Sequence, residues 1–274
     1  MTSAPLGFKR MVLGLHQGAP RRATALAVEF AQLFDIELLG LFIEDAGLRH
    51  LAGMPFAREI SSLGGAWRRI EPARATRELD LAAGDAERQF IEAARALERR
   101  QFEIVRARAA EALAAILRSG DIMAIGAPAA AAERAAEPFA SLLEAAFRSS
   151  AAVMLAPARR ARSAGPVVAI ASGPDDPSIA AAAAIAEAAG EEVVVVDLRP
   201  GAAEEWLAAR RAAEPGAATR RGAAPKLAFA DETLPQALQS VKERLVVVSR
   251  GAVGDRIALT IVATRGVPAL SVDG

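Results

Sequence analysis

IGAPAAAAERAAEPFASLLEAAFRSSAAVMLAP, residues 125–157, runs from a short apolar segment through an alanine-rich connection into a helical pattern and out into a second apolar segment. Its neighbours complete the first apolar run as DIMAIG, 121–126, and AVMLA at 152–156 forms the last. Short apolar runs without polar alternation are what strands covered on both faces of a parallel sheet require. Strand, connection, helix and strand in that order make one unit of an open α/β sheet wrapped by helices. A connection that turns off a strand into a helix start is also a place where anions bind, provided small residues leave the backbone amides open. After Gly126 this stretch contains no second glycine.

Upstream, the same alternation is legible back to the N-terminus. MVLGL at 11–15 predicts a buried strand, and Ala23, Leu26, Ala27, Phe30, Ala31, Leu33 and Phe34 give the helix at 21–34 one apolar side, with Arg22, Glu29 and Gln32 opposite. IELLGLFI at 36–43 predicts a second buried strand. Residues 44–75, interrupted by Gly47, Gly53, Pro55, Gly64, Gly65 and Pro72, are expected to form an irregular, mobile insertion with a short helix. A helix over 76–99, a strand at 101–106 (QFEIVR) and a helix at 109–118 closed by Gly120 follow. The helix after the connection is expected at 138–149, whereas Ala131–Ala136 suits either helix or loop.

Downstream, PARRARSAGP opens a proline- and arginine-rich linker, and beyond it the order begins again. VVAIA (167–171), a helix from 177 to Gly190, EEVVVVDL (191–198), a helix near 202–212, KLAFA (226–230), a helix at 233–243, RLVVVS (244–249), a helix at 254–264 and VPALSV (267–272) correspond to the first half. Asp176 before Pro177 is a favourable helix start, since its carboxylate can accept from orphan amides while proline takes the first turn. A repeat longer than 100 residues indicates a duplicated domain. The expected organisation is a first domain at 1–157 with an insertion at 44–75, a linker at 158–166 and a shorter second domain at 167–274, each an open parallel five-stranded sheet with helices on both faces.

Composition limits the function. The 33 basic and 33 acidic side chains balance, so no overall field favours nucleic acid or an anionic surface, and neither nucleic acid nor membrane is an expected partner. Cysteine is absent, which removes disulfides, thiolate metal sites and cysteine nucleophiles. No apolar run approaches the ~20 residues that span a bilayer, and a cytoplasmic location is expected.

The strand at 11–15, the alanine-studded helix behind it, the strand and glycine at 121–126 and the closing SLLEAAFRSSAAVMLAP resemble the universal stress protein family. Domains of that family end in a helix carrying a serine, a glutamate and an arginine before an apolar strand, here Ser141, Glu144 and Arg148. The resemblance implies a tandem member whose two domains pack as an intramolecular pseudo-dimer through their last strands, with a further homodimer as an option. In the family's nucleotide-binding members, a G-x-x-G turn after the fourth strand and a later Gly-Ser or Gly-Thr present amides to phosphates. Gly126 matches the first glycine, Ala129 replaces the second, and Ala140-Ser141 stands for Gly-Ser, one residue late. His16 occupies the place of the family's aspartate at the end of the first strand. In the second half Ser172 stands at that place, and Gly251 and Gly254 keep the G-x-x-G spacing, but the helix starts almost at once. Alanine resists positive φ and its methyl group fills space that a phosphate oxygen would use.

The implied function is a noncatalytic stress-response or regulatory binding protein with ATP binding weakened or lost, no resident cofactor, and an unidentified protein or small molecule as its partner. The alternative is an ATP- or AMP-binding sensor or slow ATP hydrolase that uses His16, Gly126 and Ser141. No catalytic residue is assigned, because no histidine or lysine is placed by sequence to activate Ser141 and no G-x-S-x-G elbow, Walker loop or G-x-G-x-x-G occurs. Glu44, Asp45 and His50 lack ligand-grade spacing, so no metal is expected. Arg21 and Arg22 oppose the macrodipole of their helix, which points to a nearby anion, carboxylate or solvent.

Overall fold

A computed structural model describes residues 7–16, 21–44, 46–60, 65, 67–135, 139–159, 161–198, 238 and 241–273. The first apolar runs become β1 (Arg10–Leu15) and β2 (Glu37–Glu44), separated by α1 (Arg21–Phe34). Next come α2 (Ala46–Gly53), β3 (Arg58–Ile60), β4 (Trp67–Arg69), α3 (Pro72–Ala93), β5 (Arg100–Arg106) and α4 (Ala109–Ile116). The opening stretch of sequence forms β6 (Asp121–Gly126), α5 (Ala131–Ala135), α6 (Phe139–Phe147) and β7 (Ala152–Ala156). The remainder forms β8 (Val167–Ala171), α7 (Pro177–Ala189), β9 (Val193–Asp197), β10 (Leu245–Ser249), α8 (Ala252–Arg265) and β11 (Ala269–Val272).

These strands do not make two separate sheets. Nine of them join in one sheet, in the order β5-β2-β1-β6-β7-β11-β10-β8-β9. Every neighbouring pair is parallel except β7 and β11, which run antiparallel with Leu155, Met154 and Val153 opposite Ala269, Leu270 and Ser271. The last strand of each half therefore faces the other, and both are spared the unpaired edge that invites aggregation. Of the second half, four strands are described; the expected strand at 226–230 and helix at 202–212 lie outside the described residues, as does most of 233–243, whose last residues, 241–243, are irregular.

Alternation along the strands sorts side chains to two cores. Met11, Leu13 and Met154 face α1, α3 and α7, whereas Val12, Val153 and Leu155 face α4, α6 and α8. Each core takes residues from both halves, so burial is continuous across the seam. Gly40 on β2 marks a close approach, since a Cβ there would stand 2.7–2.8 Å from the rings of Phe90 and Phe102.

The insertion is more ordered than its glycines and prolines suggest. It folds into α2 and the β3–β4 hairpin, and α3 starts at Pro72, where the missing N–H costs nothing, rather than at 76. The buried Glu44 at the end of β2 receives Arg49 of α2, which also reaches Asp80 of α3 at 2.6 Å, while Arg106 of β5 approaches Glu44 at 3.5 Å. Two carboxylates hold the Arg49 guanidinium's pKa above its ordinary value, with hydrogen bonds from Glu44 and then Asp80 as the largest causes. This cluster ties α2 to the carboxyl end of the sheet. The Ala131–Ala135 segment is helical, and the helix at 109 ends at Ile116, with Leu117 extended and Gly120 at φ +88° in the following turn.

Candidate functional site

At the carboxyl ends of β1 and β2 lies a crevice of about 460 Å³. His16, the residue after β1, and Ser141, in the first turn of α6, both line it, so two of the residues singled out in the sequence are brought together. Arg108 and the first turn of α4 form another wall, and Glu144 and Arg148 stand at the rim, 3.4 Å apart as an exposed i, i+4 pair. No side chain caps the first amides of α4, whose N-cap is Arg108. Arg108 carried no motif in the sequence, and its place is set by the β5–α4 turn alone.

Gly126 sits elsewhere. It ends β6 in register with Ala156, is buried, and is not among the residues lining that crevice. The Ala127 amide donates to the Ala156 carbonyl at 2.8 Å, extending the ladder by one bond. Arg134 of α5 then donates to the carbonyls of Pro128 and Ala129 at 2.9 and 2.7 Å. Ala129, Arg134 and Pro157 border a small cavity of about 90 Å³ whose far wall is Val262, Ala263 and Thr264 at the end of α8 with Gly266 just beyond it. The connection is thus pinned through its oxygens by a guanidinium and lies beside the other half of the chain. Ala129 is not among the residues with positive φ, so alanine fits its backbone there without strain.

In the second half Ser172, Gly251 and Gly254 share a cavity of about 250 Å³ with Asp176, Ser249 and Arg250. Asp176 is the N-cap of α7, as its place before Pro177 predicts. Its carboxylate accepts from the Ser172 amide and hydroxyl at 2.8 and 2.9 Å and from the Ser178 amide and hydroxyl at 3.0 and 2.6 Å, and the Ser249 hydroxyl also donates to it. Burial would raise this carboxyl's pKa; the hydrogen bonds from Ser172, Ser178 and Ser249 outweigh it and hold the group below the usual aspartate value. A carboxylate of the chain itself therefore occupies the positive end of α7, where an external anion would bind.

The two glycines of that half have different structural reasons. Gly251 is the N-cap of α8 at φ +132°, a conformation that side chains avoid, with open space where a Cβ would be. Gly254 lets α8 rest on β10, since a Cβ would lie 1.8 Å from the Ser249 carbonyl oxygen. Arg250 crosses to the first half and donates to the carbonyls of Ser149 and Ala151 while pairing with Asp273 at 3.0 Å.

The remaining candidates are accounted for locally. Arg22 donates to the Ala158 carbonyl at 3.3 Å rather than to a carboxylate of the insertion, and the Arg21 side chain lies outside the described residues. Glu44 is held by arginines, Asp45 lies outside the described residues, and no group of three His, Asp or Glu side chains able to hold a metal occurs among the described residues. No described helix is long and apolar enough to cross a membrane.

No protein-family model matches the chain, and no curated protein matches it in sequence. Among solved structures it is similar to a universal stress protein from Archaeoglobus fulgidus DSM 4304, at 12% identity and a TM-score of 0.65 over 96% of each chain. It is also similar to a functionally unknown protein from Pseudomonas aeruginosa PAO1, at 15% identity and a TM-score of 0.52, over 99% of this chain and 95% of the other. At such identities the likeness is one of architecture: the large, mostly parallel sheet with helices on both faces matches universal stress protein-like folds.

Proposed function

We propose that the chain is a universal stress protein-like, noncatalytic binding protein of stress response or regulation, in which ATP binding is weakened or lost. Its two domains, 1–157 and 167–274, with the linker 158–166 between them, act as an intramolecular pseudo-dimer, a reading supported by the antiparallel pairing of β7 with β11. The observation that carries the functional reading is the Arg134 side chain on the carbonyls of Pro128 and Ala129. With the Ala127 amide spent on β7, no N–H at Pro128 and the next carbonyls turned toward Arg134, the connection offers a chain of phosphates fewer amides than a glycine-rich turn would. In the second half the Asp176 carboxylate repels the same ligand from the start of α7. No resident cofactor is proposed.

Isothermal titration with ATP, ADP and AMP tests this. The expected result is no saturable heat at micromolar nucleotide. Micromolar ATP affinity that depends on Mg²⁺ would overturn it.

The first crevice supports a second reading, an ATP- or AMP-binding sensor or slow ATP hydrolase. Its volume of about 460 Å³ falls within the range of small-molecule sites, and Arg108 and Arg148 against Glu144 leave its wall with one positive charge in excess. In this reading His16 and Ser141 contact the ligand and Gly126 only ends the strand beneath it. Adenine nucleotide found by mass spectrometry in protein purified without added ligand would favour it, and an empty spectrum would count against it.

A further inference from the structure

We propose that the outer face of the β3–β4 hairpin docks on an anionic lipid surface. In this hairpin Arg58 stands opposite Arg69, Glu59 opposite Arg68 and Ile60 opposite Trp67. Directly opposed residues project to one side of a two-stranded sheet and successive residues alternate, so Arg58, Ile60, Trp67 and Arg69 share a face. The other face belongs to the protein: Glu59 receives Arg68 at 2.6 Å and also Arg74 of α3. On the free side Trp67 is 65% exposed and Ile60 54%, and Phe56, two residues before β3, is 74% exposed. None of these lines either crevice.

The occupant follows from charge and area. The charges on this face are those of Arg58 and Arg69, which meet no carboxylate in a described ion pair, whereas Arg49, Arg68 and Arg74 nearby are already paired with Glu44, Asp80 and Glu59. A second copy laid on the same face would set Arg58 and Arg69 against their own counterparts. Three such side chains also expose only roughly 400 Å² between them, against the ~800 Å² per partner of a stable protein interface. A bilayer has neither requirement. Trp67, Ile60 and Phe56 enter the boundary between headgroups and acyl chains, and the flanking guanidinium groups pair with lipid phosphates.

The test uses the full chain carrying Trp206→Phe, which leaves Trp67 as the sole tryptophan, titrated with vesicles of phosphatidylglycerol and phosphatidylcholine or of phosphatidylcholine alone. The expected result is a blue shift of Trp67 emission and co-sedimentation with the anionic vesicles only, weakened about tenfold or more by high salt. In co-sedimentation of the otherwise unmodified chain, Trp67→Ser with Ile60→Ser is expected to lose at least tenfold in partitioning at an unchanged circular dichroism spectrum, and Phe56→Ser serves as a second, independent variant. Binding to neither vesicle overturns the proposal and leaves the face to an acidic protein partner. A blue shift that depends on protein concentration without vesicles overturns it in favour of a second copy.

Discussion

Leu270 on β11 stands directly opposite Met154 on β7, both fully buried, at the antiparallel seam where the two halves of the chain become one sheet. A large-to-small change at this seam removes contacts that both halves use. Leu270→Ala is expected to cost about 2–5 kcal/mol, the range for a buried leucine whose site collapses incompletely. Urea denaturation followed by circular dichroism checks it. Loss of one half in an early, separate transition would show that the seam does not couple them.

Gly254 invites a sharper substitution. A methyl group there meets the Ser249 carbonyl at 1.8 Å, and backbone cannot swing aside as a side-chain tip can, so Gly254→Ala is expected to destabilise by about 3 kcal/mol or more. Gly173, with nothing within 4 Å of its virtual Cβ and no positive φ, provides the control, and Gly173→Ala is expected within about 0.5 kcal/mol of the parent. Equal melting temperatures for the two variants would show that α8 can shift on β10 without cost.

These residues show what the sequence discloses and what it withholds. DIMAIG, AVMLA and VVAIA were legible to the residue, because a strand covered on both faces has to be apolar throughout. The hairpin was not: REI and WRR are three residues each and mostly charged, too short for any period to register. The alanine run at 131–135 has helix propensity but buries no residue, so propensity alone could not separate helix from loop. The meeting of the two last strands followed from the family resemblance alone, since an apolar strand looks the same whether it ends a sheet or meets another edge. In the site, His16 and Ser141 were placed by their positions at strand end and helix start. Gly251 and Gly254 keep the spacing of a phosphate turn, but the contact of Gly254 with Ser249, a packing cause, carries no local signature. Asp176 was legible as a cap, but Ser249 is 73 residues away in sequence and its contact is a product of topology.

Arg244, like Arg250, links the halves through a side chain. It donates to Glu29 of α1 at 2.6 Å, its guanidinium lies 5.7 Å from the centre of the Phe30 ring, and its side chain is only 9% exposed. Removing Arg244 strips packing as well as charge, whereas removing Glu29 leaves a buried cation with, among the described residues, the Phe30 ring beside it but no carboxylate. A double-mutant cycle with Arg244→Met and Glu29→Gln is expected to give a coupling of about 1–2 kcal/mol. A coupling within error of zero would assign Arg244 a packing role alone.

The hydroxyl and amide donors around Asp176 make stability depend on acid in a defined direction. Its native pKa lies below the ~3.9 of an unfolded aspartate, because the donors from Ser172, Ser178 and Ser249 outweigh the effect of burial. A group whose native pKa is depressed contributes fully above the unfolded value, and the contribution fades as pH falls from there through the native value. Asparagine still caps a helix, so Asp176→Asn retains the bond to the Ser178 amide but sets an NH₂ group against donors that had a carboxylate oxygen. The expected loss is about 2 kcal/mol at neutral pH, in line with hydrogen bonds to a charged group. Below about pH 4 the gap between parent and variant is expected to close, because the parent alone gives up this contribution. Unfolding free energies of both proteins between neutral pH and acid measure it directly, and profiles that stay parallel through that range would mean that the carboxylate's charge does not stabilise the start of α7.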